Sequence, residues 1–92
     1  MRSLLSKTEL NEALCQIPEW RFAENAIERW FEFPTFAEAV AFVDRVAVLA
    51  DALDHHPDID IRYRRVRLTL STHSAGGLTE LDISAAKQIA SI

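Results

Sequence analysis

At 92 residues, the chain has room for one hydrophobic core and excludes a second domain, so a single domain spanning residues 1–92 is expected. Its 49% hydrophobic and 26% charged residues exclude a disordered or fibrous chain, and a net charge of -4 excludes general attraction to nucleic acid or anionic membrane, both of which require a positive field. With Cys15 as its one cysteine, the chain can form neither an internal disulfide nor a cysteine-based zinc site, which fits a reducing compartment.

In chain order, Met1 to Leu5 carries one positive charge and meets Ser6, Lys7 and Glu9 before any apolar run develops, unlike a signal peptide. No run of about 20 apolar residues follows, so a cytoplasmic protein is expected. Ser6 with Glu9 opens a short helix. In this signature a hydroxyl caps a free N–H while an acid three residues later reaches back. Leu10, Ala13 and Leu14 share one side of that helix, and Pro18 closes it. Trp20 to Phe22 and Glu28 to Phe33 flank Glu24-Asn25 and suggest a first hairpin.

Thr35 with Glu38 opens the longest helix, in which Phe36, Ala39, Val40, Val43, Val46, Ala47, Ala50 and Leu53 recur at helical spacing up to Asp54. Phe42 and Leu49 lie on its other flank, an excess of apolar surface that fits either a helix-to-helix contact between subunits or simply a thicker core. A chain this small buries only about 60% of its unfolded surface, which also favours a homo-oligomer.

Ile59, Ile61 and Tyr63 alternate with Asp58, Asp60 and Arg62, and Val66, Leu68 and Leu70 with Arg65, Arg67 and Thr69, which suggests a second hairpin. With Arg64-Arg65 as its turn, Tyr63 faces Val66, Ile61 faces Leu68 and Ile59 faces Leu70. Extended backward, that ladder sets His56 opposite His73. The hairpin's four arginines, Arg62, Arg64, Arg65 and Arg67, are read as a solvated or salt-bridged strand face rather than a nucleic-acid site. Thr79 with Asp82 opens a last helix presenting Leu81, Ile83, Ala86, Ile89 and Ala90. The order α-β-β-α-β-β-α predicts an α+β fold, a four-stranded antiparallel sheet with three helices packed on one face.

All three histidines, His55, His56 and His73, fall where the long helix meets the second hairpin. Adjacent His55-His56 is awkward for chelating one ion, so no metal is expected. Imidazoles suit proton transfer, with Asp51, Asp54 and Asp82 as the carboxylates nearest to orient them.

The run Asp54-His55-His56-Pro57, then Tyr63, then Leu70-Ser71-Thr72-His73 followed by Gly77-Leu78-Thr79 and Asp82, resembles the signature of the pterin-4a-carbinolamine dehydratase family. Trp20 and residues 27–36 resemble the family's first hairpin. The sequence departs from the family's usual pattern at Pro18-Glu19, at Ile59 and at Arg64-Arg65. The resemblance implies an α+β sandwich, dimers or tetramers, and dehydration of 4a-hydroxytetrahydropterin to quinonoid dihydropterin after an aromatic amino acid hydroxylase has used its pterin. It implies His55, His56 and His73 as the catalytic group with Asp82 in support. Asp54, Ser71, Thr72 and Ser74 would line the pterin pocket, with Asp51 and Trp20 as supporting positions, and no cofactor. It implies an alternative as well, since some members resemble a dimerisation cofactor that binds a transcription factor through its helices.

Overall fold

A computed structural model describes residues 3–92; Met1 and Arg2, where the reading of the N-terminal segment begins, lie outside the described residues. The elements follow the expected order: α1 (Lys7–Gln16), β1 (Arg21–Ala23), β2 (Ala26–Glu32), α2 (Phe36–Leu53), β3 (Asp58–Arg62), β4 (Arg65–Leu70) and α3 (Glu80–Ile89), with a short 3₁₀ turn at His73–Ala75. All strand pairs are antiparallel and the sheet order is β1-β2-β4-β3, so β4 lies inside and β3 forms one edge.

Each helix begins where its hydroxyl cap predicts. Ser6 and Glu9 exchange hydrogen bonds at the start of α1, and Thr79 and Asp82 do so at the start of α3. At α2 the Glu38 N–H donates to Thr35 Oγ1, but the Glu38 carboxylate turns to the hydroxyl instead of the backbone. The first hairpin turns on Glu24 and Asn25, both left-handed at φ 54° and 63°, the twist that a two-residue connection between antiparallel strands favours.

One sheet face carries Ile27, Phe31, Val66, Leu68 and Leu70, and all three helices pack on it. Ala39, Phe42, Val46 and Ala50 come from α2, Ile83, Ala86 and Ile89 from α3, and Leu10, Ala13 and Leu14 of α1 close the end. Burial at roughly 25 cal/mol per Å² of apolar surface makes this layer the main stabilising term. Phe42, expected on an outer flank, is 4% exposed because its ring packs on Phe31 and Phe33 at 4.7 and 5.0 Å. The apolar side chains that α2 leaves outward are instead Phe36, Ala47 and Val48, with the small Ala37, Ala41 and Ala52. Ala90, expected on the inner face of α3, is exposed.

The second hairpin differs from its expected register. Its turn is Tyr63-Arg64, so Ile61 pairs with Val66 and Ile59 with Leu68, each two residues earlier on β4 than expected. A shift of two preserves the face of every side chain, so apolar alternation alone cannot choose between the two registers. The polar face does choose. The observed pairing sets Asp60 opposite Arg67, with a 3.0 Å ion pair, where the other would set Asp60 opposite Thr69; each register leaves one Arg-Arg pair, Arg62 with Arg65 as observed and Arg62 with Arg67 otherwise. The Phe33 N–H also donates to the Arg64 carbonyl at 3.0 Å, tying the turn to the end of β2. Around Arg67 the outer face is a mixed-charge layer, with Glu28 at 3.6 Å and the guanidinium groups of Arg65 and Arg67 over the Trp30 ring at 4.3 and 5.3 Å.

Candidate functional site

Because β3 begins at Asp58 and β4 ends at Leu70, neither His56 nor His73 belongs to the ladder, and the expected cross-strand pair of imidazoles does not form. The convergence that does occur runs through Asp82.

The last turn of α2 sets the geometry. Asp54 caps the helix in the left-handed conformation, φ 50° and ψ 43°, which Asp adopts more readily than most residues. The chain reverses there, with the His55 N–H returning to the Ala50 carbonyl at 3.1 Å. His55 then turns inward and His56 outward. The His55 side chain is 10% exposed, and its Nε2 donates to Asp82 Oδ1 at 2.6 Å. Behind it lies a cavity of about 10 Å³ lined by Leu53, Pro57, Leu70, Ala85 and Ile89, an apolar wall too tight to admit a ligand. The outward His56 donates to Asp51 Oδ1 at 2.8 Å, with 58% and 79% of the two side chains exposed.

Asp82 is fully buried on the first turn of α3. Besides His55 it accepts the Thr72 hydroxyl at 2.8 Å and the Thr79 N–H at 2.9 Å, both on Oδ2. No side-chain polar atom buried among the described residues lacks a partner. A carboxylate only accepts, so the His55 proton at this contact sits on Nε2.

Thr72 also anchors the segment after β4. Its N–H donates to the Gly77 carbonyl at 2.9 Å and its carbonyl accepts from Gly76, whose φ of 76° closes the loop in a conformation glycine adopts freely. Held on this loop are Ser71, whose hydroxyl donates to the Asn25 carbonyl at 3.3 Å, and the exposed His73 and Ser74. His73 is therefore the immediate neighbour of a residue bonded to the carboxylate that holds His55.

Of the residues singled out from sequence, His55, Asp82 and Thr72 form one buried network, and His56 with Asp51 a separate exposed pair. His73, Ser74 and Asp54 are exposed around them. Trp20 is 5% exposed and packs edge-on against Phe31 at 6.3 Å, a core position. Thr79 was legible only as a helix cap. Its hydroxyl lies 2.8 Å from that of Thr72, a contact that no local pattern announces. Among the described residues, no three His, Cys, Asp or Glu side chains gather as metal ligands, and no helix is long and apolar enough to cross a membrane.

Comparison with known proteins gives a consistent result. The family model described as Pterin 4 alpha carbinolamine dehydratase matches residues 3–92. A protein of Chloroflexus aurantiacus named "Putative pterin-4-alpha-carbinolamine dehydratase" is 55% identical over 85 residues, covering 92% of this chain and 91% of its own. The crystal structure of a transcriptional coactivator/pterin dehydratase from Brucella melitensis superposes with a TM-score of 0.91 at 41% identity, covering 97% of each chain. A pterin dehydratase-like protein identified as a RuBisCO assembly factor in the alpha-carboxysome has a TM-score of 0.65 at 23% identity, over 78% of this chain and 83% of its own, a likeness of fold alone.

Proposed function

The chain belongs to the pterin 4 alpha carbinolamine dehydratase family, and on that premise we propose that it dehydrates 4a-hydroxytetrahydropterin to quinonoid dihydropterin by histidine acid/base catalysis, in tetrahydropterin recycling. The observation that carries this reading is the buried contact of His55 with Asp82, which commits one imidazole nitrogen to a carboxylate.

In the reaction a proton goes to the 4a-hydroxyl, the carbon–oxygen bond breaks with its electron pair leaving as water, and a ring nitrogen gives up a proton. Two imidazoles in opposite protonation states supply and remove these protons. His55 and His73 are assigned as acid and base, and His56 holds the substrate. Asp82 orients His55. Asp54, Ser71 and Ser74 line the pterin pocket, with Asp51 supporting His56, and the chemistry needs neither metal nor cofactor. The protein acts in the cytoplasm downstream of an aromatic amino acid hydroxylase. As a homodimer or homotetramer it covers the outward Phe36 and Val48, which are 51% and 72% exposed.

The test is the breakdown rate of 4a-hydroxytetrahydropterin with purified protein against buffer. Acceleration that falls by roughly 10²-fold in His73→Ala supports the assignment, on the scale of losing a positioned acid or base. Unchanged turnover in the folded variant removes His73 from it. A wild-type rate equal to buffer favours the second reading, a protein-interaction module for a transcription regulator, which the coactivator name of the Brucella relative motivates.

A further inference from the structure

The hydrogen atoms around Asp82 can be placed by elimination. Asp82 Oδ2 accepts, so Thr72 Oγ1 spends its single proton there. The 2.8 Å contact between Thr72 Oγ1 and Thr79 Oγ1 must then be donated by Thr79. Thr79 Oγ1 is left to accept, and it takes the Leu81 N–H at 3.2 Å. An ordered chain results. It runs from the Leu81 N–H in the first turn of α3 through the Thr79 and Thr72 hydroxyls to Asp82, every bond pointing the same way, and hydrogen bonds aligned in this manner polarise and strengthen one another. The Thr79 N–H closes a second route to the same oxygen. Thr72 is 4% exposed and Thr79 fully buried, so neither hydroxyl is presented to a ligand.

We propose that Thr72 and Thr79 are a positioning pair for His55. Their hydroxyls fix the rotamer of Asp82, and the carboxylate so fixed holds the imidazole with its proton on Nε2. Thr72 then acts on the reaction through Asp82, not as the pocket-lining residue the sequence suggested. Its hydroxyl reaches residues of α3 and its cap, while the backbone of the same residue holds the loop that carries His73. One side chain and its main chain thus link both imidazoles assigned to proton transfer. The kinetic part of this proposal rests on the dehydratase reading, and the tautomer part does not.

The test compares Thr72→Val, which keeps the shape and loses the hydroxyl, with Thr72→Ser, which keeps the hydroxyl. Heteronuclear NMR of labelled imidazoles reports which nitrogen of His55 carries the proton and how fast it exchanges with water. Wild type and Thr72→Ser should show a protected Nε2–H. Thr72→Val should lose that protection by about 10-fold or more, with kcat falling by about 10-fold at unchanged KM, the scale on which outer partners of a functional group act. A raised KM at unchanged kcat would make Thr72 a substrate contact and overturn the proposal. So would an Nε2–H as protected in Thr72→Val as in wild type. Should Thr72→Val not fold, Thr79→Gly keeps a tolerated cap and the donating N–H, and removes the upper hydroxyl together with its methyl group. It should show the same loss of protection in weaker form, and no change would overturn the proposal. A wild-type protein no faster than buffer would defeat the dehydratase reading alone, because the NMR comparison would still decide the role of the pair.

Discussion

Two neighbouring histidines leave the same helix end and meet an aspartate at nearly the same distance, 2.6 Å for His55 with Asp82 and 2.8 Å for His56 with Asp51. The contacts look alike and differ in everything around them. His55 and Asp82 are 10% and 0% exposed, and every acceptor site of the carboxylate in use is matched to a donor; His56 and Asp51 stand 58% and 79% in solvent. In water each partner of the outer pair has a substitute, so the pair gains little from its geometry. In the interior nothing substitutes, and removing one member leaves the others unsatisfied. Distance alone therefore does not rank the two pairs; burial does.

The largest effect that would break this comparison is expected at Asp82. Asp82→Ala strands the Thr72 hydroxyl, the Thr79 N–H and His55 together, and should cost about 3 kcal/mol of stability in urea denaturation along with a roughly 10²-fold loss of dehydration rate. A loss below about 1 kcal/mol would mean that water enters the network and that the two pairs are alike after all. Next, Thr79→Ala removes the cap of α3 as well as one hydroxyl of the chain and should lower stability by about 1–2 kcal/mol in the same experiment. On the outer pair, Asp51→Ala should change stability by about 0.5 kcal/mol or less. His56→Ala should be similarly silent in denaturation while raising KM, if it holds substrate.

The smallest effect concerns Asp60 on the outer sheet face. The hydrogen bond from Arg62, with the charges of Arg62 and Arg67, holds its carboxyl below the usual carboxylate range. A depressed folded value means a stabilising contribution that is full above that range and is lost as pH falls through the folded value. Asp60→Asn should lower stability slightly at neutral pH, where the contribution is full, and leave the acid end unchanged, so that the acid limb of the stability curve becomes flatter. An unchanged acid limb would show that this ion pair does not contribute.

Much of the fold was legible because its signals are local. Ser6, Thr35 and Thr79 each mark a helix start, and the left-handed pair Glu24-Asn25 sits where composition placed a turn. The register of the second hairpin was not legible. Two registers differing by two residues present the same apolar face, and the choice falls to Asp60 against Arg67 across strands and to Phe33 against Arg64 from another hairpin. For the candidate site, the residue types were readable and their grouping was not. The ladder predicted His56 against His73, whereas the left-handed turn at Asp54 sends His56 to solvent and His55 to Asp82. Thr79 was readable only as a helix cap, because burial is a property of the whole fold and a capping sequence reads the same in the interior as at the surface.

The reversal at Asp54 carries one more consequence, for how this chain can vary in length. Each residue of an α-helix advances the direction of a side chain by about 100°. One residue inserted or deleted in the last turns of α2 would rotate everything beyond it by that angle and aim the wrong imidazole at Asp82. The segment joining α2 to β3 should therefore tolerate exchanges of side chain far better than changes of reading length, while the exposed Glu24-Asn25 tip, tied to the site by the Asn25 carbonyl that accepts from Ser71, should accept an extra residue at lower cost.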